Sequence, residues 1–74
     1  MIRKRSVSIA GHATSFSVED EFHAELAAIA RRRGLPLARL IATVDRGRKP
    51  GTNLSSAIRL YVLAEVKRGI RDEG

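Results

Sequence analysis

Seventy-four residues with 43% hydrophobic content suit one small domain, and a chain this short buries too little surface to be comfortably stable alone. Having no cysteine, it cannot draw the missing stability from disulfides or thiolate metal sites, so a partner chain is expected. A formal net charge of +6 points to polyanions, nucleic acid first, while the apolar runs fall far short of the roughly 18 residues of a membrane helix.

Met1 to Arg5 carries Arg3, Lys4 and Arg5 without apolar periodicity and reads as a mobile basic arm over residues 1–5, a source of phosphate contacts with little sequence preference. Ser6 to Ala10 then alternates polar and apolar residues, which is no signal-peptide core, and a cytoplasmic location is expected. Val7 and Ile9 are apolar at odd positions, whereas Phe16 and Val18 are apolar at even ones. A continuous strand buries only one parity, so a bulge or a turn is required at Gly11-His12.

From Glu19 the period becomes helical, with Phe22, Leu26, Ile29 and Ala30 on one stripe. Ser17 and Asp20 have the spacing of a capping pattern, acids open the helix, Arg31 to Arg33 close it, and Gly34 supplies a left-handed stop. A second helix begins around Pro36, shows Leu37, Leu40, Ile41 and Val44 on one face, and ends near Arg46. The segment GRKPGT over 47–52 is a loop. Asn53, Ser55 and Ser56 offer caps for a third helix whose apolar residues, Leu54 to Val66, are too widely spread for one face. The expected organisation is the arm over 1–5, one domain over 6–68 and a short tail over 69–74.

A single strand followed by helices finds no partner strand within the chain, so antiparallel pairing between two copies is the economical solution. Such a two-stranded ribbon fits the DNA major groove. Ser15 and Ser17 would face outward from it, beside Ala13 and near His12, which could touch DNA or orient the turn. His12 and His23 lack metal-site spacing, and there is no G-x-S-x-G elbow or phosphate-binding glycine loop. Neither catalysis nor a metal or other cofactor is expected.

The run KRSVSIAGHATSFSVEDEF, the helix ending RRRG, and the segments LPLARL and NLSSAIRLYVL resemble small bacterial ribbon-helix-helix proteins over nearly the whole chain, in particular a short subfamily with a GH-x-TS-x-S strand motif. The resemblance implies a mostly α fold with one N-terminal strand, an intertwined homodimer with an intermolecular ribbon, and here a third C-terminal helix. It also implies insertion of the ribbon into double-stranded DNA and a phosphate held at the start of the second helix, where the amides of Leu37 and Ala38 are free and Arg39 could reinforce the site. The function expected is transcriptional repression, with further assembly on adjacent half-sites. The alternatives are an antitoxin, or an interaction adaptor that binds a protein partner through the third helix without binding DNA.

Overall fold

The computed structural model describes residues 1–73, with side chains as far as Gly69; Gly74, the end of the expected tail, lies outside the described residues. Two strands, β1 (Ile2–Ile9) and β2 (His12–Glu19), are followed by the helices α1 (Asp20–Arg33), α2 (Leu37–Arg46) and α3 (Leu54–Glu73). The ribbon-then-helices order is the expected one. Its two strands, however, come from one chain: β1 and β2 pair antiparallel, with Val7 opposite Thr14 and Arg5 opposite Phe16.

This pairing resolves the parity switch. Opposed residues across an antiparallel pair share a face. A two-residue turn places odd positions of β1 opposite even positions of β2, so Val7, Ile9, Phe16 and Val18 all lie on the helix side. The turn is Ala10-Gly11, one residue earlier than expected, with φ of 51° and 82°. Both values belong to the left-handed region that tight hairpins favour, natural for glycine and costly for alanine. Ala10→Gly is therefore expected to raise stability by about 0.5–1 kcal/mol, a rise in melting midpoint of a few degrees. A midpoint that falls in a thermal melt would contradict this turn geometry.

The expected basic arm is also corrected, because residues 2–5 form the first half of β1. Arg3 and Arg5 are held there by Asp20, each with a nitrogen 3.2 Å from its Oδ1, and Asp20 N–H donates to the Met1 carbonyl at 3.1 Å. A second correction concerns the cap of α1. Ser17 lies within β2, Glu19 is the residue before the helix, and no side chain caps the start. At the other end Gly34, at φ 67°, directs its amide to the Arg31 carbonyl, and Leu35 N–H reaches the Ala30 carbonyl, closing the last turn.

The core lies between the ribbon and the helices: Phe16 and Val18 from β2, Leu26, Ile29 and Ala30 from α1, Leu40, Ile41 and Val44 from α2. Leu54, Ile58 and Val62 of α3, four residues apart on one face, complete it. Asn53 caps α3, its Oδ1 accepting the Ser56 amide at 2.8 Å, and the helix continues past the expected end near residue 68 to Glu73. Arg33 leaves α1 to bond the largely buried Glu65 at 2.6 Å while its guanidinium sits 5.8 Å from the Tyr61 ring centre. Burial, with Glu65 beside it, pushes the Tyr61 hydroxyl above its usual pKa.

Candidate nucleic-acid interface

The hairpin has two chemically different faces. Alternation sends Arg3, Arg5, Val7 and Ile9 of β1 to the helix side and leaves Lys4, Ser6 and Ser8 facing away. Opposite them on the outward face stand Ser17, Ser15 and Ala13 of β2, in the pairs Lys4 with Ser17, Ser6 with Ser15 and Ser8 with Ala13. All of these are exposed except the half-buried Ser17. The outward face is thus shallow, hydroxyl-rich and carries one cation. Ser6 and Ser8 are the residues that sequence reasoning missed, since a single-strand reading left them no place on the presented surface; the signal that could have found them is the odd-to-even parity switch, read as a two-residue hairpin.

Of the candidate residues, Lys4, Ala13, Ser15 and Ser17 lie together on this face. Arg3 and Arg5 do not. They turn to the helix side and share Asp20, and Arg5 Nε is buried without a hydrogen-bond partner. Burial, and then the Arg5 charge, hold the nearby His23 below its ordinary pKa of 6.5. His12, near the tip, shares the helix side of the ribbon and lines a cleft with Asp45 and Arg48.

The two edges of the ribbon differ as much as its faces. In an antiparallel pair, alternate residues direct their amides and carbonyls away from the partner strand. The Asp20 to Met1 bond fixes the alternation, so Lys4, Ser6 and Ser8 present these groups on the β1 edge and Ala13, Ser15 and Ser17 on the β2 edge. On the β2 edge, α3 occupies the groups of Ser17: its amide donates to Ser55 Oγ at 2.8 Å, and its carbonyl accepts from Arg59 Nη2 at 3.4 Å. Arg59 also donates from Nε to Glu19 at 2.9 Å, which holds that carboxyl below the usual range.

The β1 side is flanked by α2. Pro36 precedes α2, whose first turn has neither a side-chain cap nor an acidic residue. The amides of Arg39 and Leu40 bond the Pro36 carbonyl, leaving those of Leu37 and Ala38 as the free donors of the helix start. Leu37 is half-buried against the core, while Ala38 and Arg39 are exposed. A cavity of about 290 Å³, lined among others by Arg5, Ser6, His23, Leu37 and Ala38, adjoins this helix end. The amides therefore lie beside β1, next to Ser6. Among the described residues, no group of three or more His, Asp or Glu side chains is placed to hold a metal ion, and no helix is long and apolar enough to cross a membrane.

No curated protein and no solved structure matches the chain. A sequence model of the ribbon-helix-helix domain does match, over residues 2–66, from the first residue of β1 into the second half of α3. An antiparallel ribbon leading into two helices, with that match spanning most of its length, makes this chain a member of the ribbon-helix-helix domain family.

Proposed function

We propose that the protein is a sequence-specific, double-stranded-DNA-binding repressor that lays the outward face of its β1–β2 ribbon in the major groove. The observation carrying this reading is the composition of that face: Lys4, Ser6, Ser8, Ala13 and Ser15 exposed on a two-stranded surface free of carboxylates until Glu19, which Arg59 pairs. Two strands spaced about 4.8 Å apart fit a groove about 12 Å wide, and serine hydroxyls can both donate to and accept from base edges. The uncapped start of α2, with its free Leu37 and Ala38 amides, would hold a backbone phosphate beside the groove. Arg3 and Arg5, bound to Asp20, fix the ribbon to α1, and Lys4 is the cation of that segment aimed at DNA.

The family generally binds DNA as dimers, and dimerisation is part of this reading. Since each chain already holds a complete ribbon, two copies need not exchange strands. Joining two hairpins along β1 would make four strands, wider than the roughly 12 Å groove, so the dimer contact falls to the helices. On α3, Leu60, Leu63 and Val66 are 61%, 47% and 40% exposed and supply the apolar surface for a second copy. Dimers on adjacent half-sites would bind more tightly than one alone. The protein acts in the cytoplasm by occupying an operator, with no catalytic step and no cofactor.

Titration of the purified protein with its own promoter DNA and with random-sequence duplex, across a salt series and with mass measured in parallel, tests the reading. A dimer that prefers promoter DNA and loses affinity steeply with salt is the expected result. Equal affinity for both duplexes would remove sequence specificity, and no binding at moderate salt would overturn the DNA-binding reading. The same exposed stripe on α3 favours one second reading, an antitoxin whose α3 holds a toxin. A stoichiometric complex with the product of a neighbouring gene would decide for it.

A further inference from the structure

The ion pairs leave an uneven distribution of charge. Arg3, Arg5, Arg33, Arg48, Arg59 and Arg68 each bond a carboxylate. Among the described residues, Arg39 and Arg46 on α2 have no carboxylate partner, and neither do Lys4, Arg31, Arg32, Lys49 and Lys67. Arg39 and Arg46 lie seven residues apart, two turns of one helical face, with Ala42 between them. They line a cleft of about 370 Å³ whose other wall is the end of β1 with the first turn residue, Ser8 to Ala10.

We propose that this cleft is a binding site for the DNA sugar-phosphate backbone, in which Arg39 and Arg46 each take a phosphate, and that the β1 edge is the side of the ribbon facing that backbone. The inference rests on the DNA-binding reading and adds which edge meets the phosphates and which residues hold them. A strand laid in the groove turns its edges to the groove walls. The β1 edge offers outward amides at Lys4, Ser6 and Ser8, whereas the β2 edge is occupied at Ser17 by Ser55 and Arg59. Two arginines about 10 Å apart along the helix axis, against a rise of about 3.4 Å per nucleotide, reach two different phosphates. Ala42 between them, and Ala38 just before Arg39, are small enough for the backbone to approach α2 closely. Arg48, by contrast, is committed to Asp45 at 3.1 Å and to the Thr52 carbonyl at 3.0 Å.

The test compares wild-type protein with Arg39→Gln/Arg46→Gln and Arg31→Gln/Arg32→Gln, each titrated with random-sequence duplex DNA over a salt series. Arg31 and Arg32 are also unpaired and exposed, but they lie at the far end of α1. Loss of two phosphate contacts should lower the slope of log K against log salt by about 1.8 for the first double variant, with no change for the second. Arg39→Lys/Arg46→Lys should keep most of the slope, since the charge remains. Melting curves of all variants guard against misfolding. Wild-type slope in the Arg39→Gln/Arg46→Gln protein, or loss of slope in the Arg31→Gln/Arg32→Gln protein, would overturn the assignment while leaving DNA binding intact. Absence of binding by the wild-type chain would overturn both.

Discussion

Ser15→Glu is expected to cost the protein about a hundredfold or more in affinity for DNA at moderate salt, because a carboxylate placed against base edges and phosphates is opposed by several kcal/mol. Ser15 stands in the middle of the outward face, opposite Ser6 and exposed. Its side chain supports nothing in the core, so the melting midpoint should move by no more than a surface substitution usually gives, about 0.5 kcal/mol. The contrast is His12→Ala. His12 lies on the other face, beside Asp45 and Arg48, and its loss should leave affinity within about twofold, the effect of a few tenths of a kcal/mol. Anisotropy titrations of both variants separate the two faces of the ribbon. Unchanged affinity of Ser15→Glu would mean that DNA is not read by this face.

How far this surface could be read from the sequence depended on one pairing. The apolar parity of Val7 and Ile9 against Phe16 and Val18 already demanded an interruption, and the structure places a turn there. Ala10 hid it, because an alanine at φ 51° gives none of the Asn-Gly chemistry that announces a two-residue hairpin. Without the hairpin, Arg3 to Arg5 had no strand to join and resembled a solvated arm. Their strand character comes from β2 lying alongside and from Asp20, fifteen residues beyond Arg5, which no local pattern reveals. The helices were legible almost to the residue where Gly34, Pro36, Gly47 and Asn53 punctuate them chemically, whereas α3 runs past its expected end near residue 68 to Glu73. The site was legible in part. Ser15 and Ser17 followed from alternation, whereas Ser6, Ser8 and the pairing of Arg46 with Arg39 required knowing which element lies beside β1.

The third helix is the element whose role the sequence described least well, and Ile58→Ala measures it. If α3 only extended a dimer, the two-helix fold would survive its loss of packing. Instead Ile58 is fully buried, and α3 contacts β2, α1 and α2. Truncation there should cost about 2–5 kcal/mol. At about 0.05–0.15 kcal/mol per residue, 74 residues provide about 4–11 kcal/mol in all, so the substitution removes a large part of the total. The melting midpoint should fall by about 10 °C or more, and DNA affinity should fail at temperatures where the wild-type chain still binds. Leu60→Ala, two residues along but 61% exposed, should instead weaken self-association while leaving the fold of each chain in place. Urea melts at several protein concentrations distinguish the two variants: Ile58→Ala lowers stability at every concentration, and Leu60→Ala reduces the concentration dependence. If Ile58→Ala melts like the wild type, α3 is an appendage to the domain. If Leu60→Ala leaves the concentration dependence unchanged, the second copy docks elsewhere.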